Sequence, residues 1–175
     1  MRSIAQFVGQ SLKWEQPKVM RMEYELRCSE ELVATLRFRS AFGSLATAEC
    51  ADGCWTFKRA GFFQTRVTIR ECNSDNEIAV FRNNTWTSGG TLELPDGHRY
   101  PANTNFWLTN YAFTADTGQE LVRYTKIGGF LHMSSLVEIL PGATLLPELP
   151  WMTLLGWYLT IMLHQDAAAA AAAAT

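Results

Sequence analysis

The chain has 175 residues, 47% hydrophobic and 18% charged, which suits one globular domain with a sizeable core and excludes a disordered chain. Its formal net charge of −2 and pI near 5.9 lack the basic excess of a nucleic-acid binder, so no nucleic acid is expected as partner. The four cysteines include no C-x-x-C pair, and neither a metal nor a cofactor is expected.

Residues 1–18 read as an N-terminal helix or arm. Ile4, Phe7, Val8 and, less regularly, Leu12 share one helical face. This stretch holds no apolar run of about 7–15 residues, so it does not read as a secretory signal. Cys50 and Cys54 flank Ala51-Asp52-Gly53 and could face each other across that turn. Without a signal they are expected to stay reduced.

From residue 19 the pattern is β. Turn signals recur at Asp52-Gly53, Asn73–Asn76, Pro95-Asp96-Gly97 and Asp116-Thr117-Gly118, about 20 residues apart. Period-2 alternation marks strands in Val19–Cys28, Leu32–Arg39, Cys54–Lys58, Arg66–Arg70, Glu77–Phe81, Thr91–Leu94, Glu120–Thr125 and Met133–Leu140. About eleven or twelve strands are expected, each with one dry and one wet face.

Trp151–Leu163 (WMTLLGWYLTIML) breaks this pattern, being uncharged and apolar on every side. A helix of that kind must be buried in protein or in lipid. A crossing needs about 20 apolar residues, so the length favours a buried core helix, here residues 150–164. Pro150 suits its first turn and Glu148 the positive end of its dipole. No Lys or Arg follows Lys126, so the basic flank of a membrane helix is missing. Trp151, Leu155, Gly156, Trp157, Tyr158 and Met162 are the expected structural residues, and Thr153, Gly156 and Thr160 form a stripe of small ones. Residues 167–175, an alanine-rich tail, are set apart from the fold, although alanine could continue the helix.

Many antiparallel strands and one apolar helix have a simple solution. The expected fold is mainly β, a closed antiparallel β-barrel of about 12 strands around the hydrophobic C-terminal α-helix. The strand–turn–strand units of residues 19–140, followed by LLPELPWMTLLGWYLTIML, resemble the tubby-like C-terminal superfamily, which includes LURP-one-related proteins and phospholipid scramblases. The resemblance covers residues 19–166 and implies the same barrel and axial helix. It also implies a lipid- or protein-binding role. No lipid-binding or calcium-binding residue of that superfamily maps onto this chain.

His98, His132 and His164 are far apart and read as structural, and no nucleophile, P-loop or H-E-x-x-H motif is present. No catalytic residue is named and the chain is expected not to be an enzyme. An enzyme built from scattered His and Asp residues is the weakest reading. Candidate headgroup-binding residues are Arg37, Arg39, Lys58, Arg59, Arg66 and Arg70, which could form an anion-binding patch if neighbouring strands bring them together. The plain alternative is a wet outer face. The expected function is a binding or scaffold domain, cytoplasmic and peripheral to a membrane, contacting anionic lipid headgroups or an unknown protein partner. The alternative is an accessory subunit that uses the C-terminal segment as a membrane anchor.

Overall fold

Twelve strands pair edge to edge until the last meets the first. The computed structural model describes residues 1–61, 65–84, 88–129 and 132–175. The strands are β1 (Ser11–Glu15), β2 (Glu23–Cys28), β3 (Glu31–Phe38), β4 (Ala46–Cys50), β5 (Gly53–Ala60) and β6 (Arg66–Glu71). They continue as β7 (Glu77–Asn83), β8 (Gly90–Glu93), β9 (Arg99–Thr104), β10 (Tyr111–Thr114), β11 (Glu120–Gly128) and β12 (Ser134–Ile139). Each pairs antiparallel with its sequence neighbour, and β1 closes the barrel by pairing with β2 on one side and β12 on the other. Closure leaves no free sheet edge.

The arm expected over residues 1–18 divides differently. Ile4–Phe7 makes a single 3-10 turn, and Ser11–Glu15 is the closing strand. Leu12 and Trp14 point inward at period 2 and are fully buried. Their burial outweighs the weak helical spacing that linked Leu12 to Ile4. The barrel therefore begins at Ser11 and not at residue 19. Val19–Met22 precede β2, and Met20 has a φ of 69°, which breaks an extended run.

The helix α1 (Leu149–Ala173) is enclosed by this wall. It packs against β3, β4 and β5 on one side and β10 and β11 on the other. Every residue from Trp151 to Met162 is buried. Those residues face the wall and are not presented to lipid in this fold. Among the described residues, no helix is long and apolar enough to cross a membrane. The helix runs beyond the expected 164 because alanine has the highest helix propensity. Its 25 residues span about 37 Å. The longest strand has 9 residues, about 30 Å, so the last turns stand clear of the wall.

Inward aromatic rings hold the helix. Trp157 stacks on Trp14 at 5.9 Å and meets the edge of Tyr24 at 5.8 Å. Tyr158 stacks on Phe38 at 5.5 Å. The small-residue stripe faces Tyr124 of β11. Its hydroxyl donates to the Thr153 carbonyl at 2.6 Å, and a Cβ on Gly156 would overlap the Tyr124 ring. Thr153 and Thr160 satisfy their own hydroxyls on the helix backbone, through the carbonyls of Leu149 and Gly156 at 2.8 Å each.

Antiparallel order sends alternate connections to opposite ends. At the turn end lie the expected turns around Asp52, Asn73, Asp96 and Asp116. Ile4 and Phe7 are buried there, the Ile4 N–H donates to Asp52 at 2.8 Å, and Tyr100 donates to the buried Glu148 at the helix start. The helix leaves through the other end, the mouth. There Tyr158 donates to the Ser44 carbonyl at 2.6 Å and His164 Nε2 lies 3.0 Å from the Leu108 carbonyl.

Gly156→Ala should destabilise the protein by about 1–3 kcal/mol despite better helix propensity, because the ring it meets belongs to the wall. Urea unfolding measures this, and wild-type stability would show that Tyr124 yields freely. Burial raises the hydroxyl pKa of Tyr24 to about 12 and also raises those of Tyr100, Tyr111, Tyr124 and Tyr158, which are all the tyrosines. The neutral form is thus favoured by folding. Its contribution is complete below the unfolded value of about 10 and is lost as pH rises above it. Alkaline unfolding should accompany tyrosinate absorbance in one transition above about pH 10. Tyrosinate formation near pH 10 with native circular dichroism would contradict this.

Candidate anion-binding rim

The sheet sorts the six expected basic residues by parity. Phe57, Val67 and Ile69 point inward and are fully buried. Lys58, Arg66 and Arg70 therefore point outward. Lys58 sits opposite Thr68, with Arg66 and Arg70 as that pair's diagonal neighbours. On β3, Arg37 lies between Glu23 and Thr47 in register. Arg39 follows the strand, its N–H donating to the Leu45 carbonyl at 2.9 Å. Arg37 and Arg39 line a shallow depression of about 340 Å³ with Thr35, Leu45, Thr47 and Glu49.

Two of the six are engaged elsewhere. Arg59 has the opposite parity and turns into the mouth. Its guanidinium holds both carboxylate oxygens of Asp166 on α1, at 2.8 and 2.7 Å. It therefore leaves the outward patch, because strand alternation separates it from Lys58. Arg70 faces outward but pairs with Glu77 at 3.2 Å.

The remaining cations divide in the same way. Arg2 pairs with Glu31, Lys13 with Glu15, Arg21 with Glu23, Arg27 with Glu25, and Arg123 with Glu120 and Glu138. Arg99 and Arg82 share Glu93, and their hydrogen bonds hold its carboxyl below the usual range. Among the described residues, Lys18, Arg37, Arg39, Lys58, Arg66 and Lys126 have no carboxylate partner. All of them lie toward the mouth: Lys18 before β2, Arg37 and Arg39 at the end of β3, Lys58 near the end of β5, Arg66 at the start of β6, and Lys126 near the end of β11. Glu30, Asp52, Asp75, Asp96 and Asp116 lie at the turn end. A chain of small net charge is thus strongly polarised. Lys18 and Lys126 escaped the sequence reading. The only signal was their position beside Pro17 and Gly128-Gly129, where strands stop.

The other chemistry-bearing side chains do not converge. His98 pairs with Asp96 at the surface, His132 lies against the Gln16 carbonyl and His164 against that of Leu108. No group of three metal-ligating residues occurs among the described residues. Thr35 and Thr68 are buried between charged neighbours, and Thr68 donates to the Lys58 carbonyl at 3.3 Å.

The cysteines correct one expectation. Cys54 is bonded to Cys72 across β5 and β6, with Cα atoms 5.4 Å apart, while Cys50 and Cys28 are free thiols. Strand pairing sets this partner: Cys54 opposes Glu49 on β4, so it does not face Cys50. Burial, with the Asp52 charge adding to it, pushes the Cys50 thiol up to about 11. Non-reducing peptide mapping should recover a Cys54–Cys72 link. Iodoacetamide should leave the half-buried Cys50 largely unmodified at neutral pH, and rapid alkylation there would show that its thiolate is not disfavoured.

No family model, no curated protein and no solved structure matches this chain.

Proposed function

We propose that this chain is a non-enzymatic binding domain of the tubby-like type, whose basic rim holds the anionic headgroups of a membrane surface. The observation that carries this reading is the cluster of cations without partners. Elsewhere on the wall arginines are neutralised by carboxylates of their own or a neighbouring strand, whereas Arg37, Arg39, Lys58 and Arg66 are not.

Charges left unpaired on a folded surface are available to an external anion. A guanidinium can hold a phosphate through two parallel N–H donors, and a lysine supplies a point charge beside it. The depression next to Arg37 and Arg39 offers such an anion a seat with hydroxyl donors from Thr35 and Thr47. The likeness in pattern to tubby-like barrels points the same way. The contact is peripheral, because the outward face carries Lys13, Arg27, Arg37, Lys58 and Arg123, the reverse of the apolar band on a spanning barrel.

Each cation near an anionic surface contributes about 1 kcal/mol, roughly fivefold in partitioning. The variant Arg37→Gln/Arg39→Gln/Lys58→Gln/Arg66→Gln should therefore lose detectable co-sedimentation with phosphatidylserine-containing vesicles at physiological salt. Its melting temperature should stay near that of the wild type, since none of the four holds an ion pair. Wild-type protein that stays in the supernatant even at low salt would remove the reading.

A further inference from the structure

The barrel's two ends differ in more than charge. The hairpin connections at the turn end are short and polar, built on Ser29-Glu30, Ala51-Asp52, Pro95-Asp96-Gly97 and Asp116-Thr117-Gly118, while the longer β12–α1 connection at that end exposes Leu145. Connections at the mouth carry large apolar side chains on their tips. Between β1 and β2, Val19 and Met20 are exposed, Met20 at 91%. Between β3 and β4, Phe42 is fully exposed. Between β9 and β10, Phe106 and Trp107 are exposed at 87% and 77%. The other exposed large hydrophobics among the described residues are Met1 and Leu145.

From these observations we infer that the mouth docks onto an anionic bilayer, with Phe42, Phe106 and Trp107 entering the interface and the unpaired cations resting on the headgroups. This rests on the headgroup-binding reading above and adds an orientation and a second source of affinity. Strand order supplies the orientation. In a ring of twelve strands, the β3–β4 and β9–β10 connections lie diametrically opposite. A surface that meets tips on opposite sides of the rim faces the mouth, so the protein docks mouth-down and not on its side.

Three features favour a bilayer over a protein partner. The exposed apolar tips sit on three different connections of the rim, and a fluid interface receives separate tips without a matching surface. Charge complements them, for Lys18, Arg39, Arg66 and Lys126 border the same mouth without a carboxylate partner. Basic residues beside Trp and Phe are the composition that binds anionic membrane interfaces.

The best-defined tip is also built to enter a less polar layer. Asn105 Oδ1 accepts the N–H groups of Thr109 and Asn110 at 2.9 and 3.1 Å, and its amide donates to Thr109 at 2.8 Å. The Leu108 N–H donates to the Asn105 carbonyl at 3.1 Å, and Thr104 donates to the Asn110 carbonyl at 2.7 Å. Leu108 has a φ of 54°, so the loop keeps a costly backbone conformation while presenting Phe106 and Trp107, whose rings meet edge to face at 5.1 Å. With these backbone groups satisfied internally, desolvating the tip costs less. The helix leaves through the same mouth, and the turns that stand clear of the wall are uncharged. Arg59 neutralises Asp166, and residues 167–173 beyond it are alanines without charge.

The test compares wild type, Phe42→Ser/Phe106→Ser/Trp107→Ser and the four-glutamine rim variant on phosphatidylcholine vesicles with and without phosphatidylserine, at low and physiological salt. The serine variant changes only exposed side chains and should melt with the wild type. It should keep salt-sensitive binding to anionic vesicles at low salt but partition at least about tenfold more weakly at physiological salt. Brominated acyl chains should quench a component of wild-type emission that Trp107→Phe diminishes. If the serine variant binds like the wild type at both salts, and Trp107→Phe leaves the quenching unchanged, docking through the mouth is overturned while headgroup binding stands. If the wild type binds no vesicle at any salt, both fall.

Discussion

A helix apolar around its whole circumference cannot be stabilised by one partner surface, and the rest of this molecule follows from that constraint. Trp151–Met162 needs apolar contact on every side. A flat sheet would cover one stripe and leave the rest in water. A closed antiparallel wall covers the full circumference and also removes its own sheet edges. The wall needs the helix in return, because twelve strands enclose more space than their inward side chains fill. Neither part is a plausible folded unit alone, and the stacking of Trp157 on Trp14 and of Tyr158 on Phe38 joins the last segment of the chain to strands formed near its start.

Fit between the two is local and specific. Small wall residues sit beside large ones, with buried Ala46 opposite Phe38 and Phe57, Ala48 opposite Trp55 and Ala102 opposite Phe113. On the helix, Gly156 removes the one side chain that would collide with Tyr124, whose hydroxyl then reaches the Thr153 carbonyl. The same close approach satisfies a buried hydroxyl that would otherwise be costly. Small residues along one helical stripe thus serve wall contact and not helix–helix packing.

Enclosure also explains why the surface is free to specialise. With the helix and inner faces supplying the core, the outer face and connections carry little of the packing. The turn end gathers carboxylates and is plugged by Ile4 and Phe7. The mouth keeps unpaired cations and exposed aromatic tips. Pairing between adjacent strands neutralises Arg70, Arg82 and Arg123, so the cations left over are set largely by which residue each strand places opposite its neighbour.

The sequence by itself determined the architecture. Strict alternation, evenly spaced Asp-Gly and Asn-rich turns, and a short uncharged helix at the end admit few arrangements other than a barrel around that helix. It also determined that Arg66 and Arg70 share a face, since period 2 is a local property. Only the tertiary structure decided which strand closes the ring. Ser11–Glu15 has a weak local signal and becomes a strand because β2 and β12 pair with it. Tertiary structure likewise decided that Arg59 turns inward to Asp166, that Cys54 meets Cys72, and that Arg37, Arg39, Lys58 and Arg66 go unpaired while Arg70 does not. The reason is common to all of these. Register and closure set contacts between residues distant in sequence, and hydrophobic patterning specifies which face a side chain takes but not which partner it meets there.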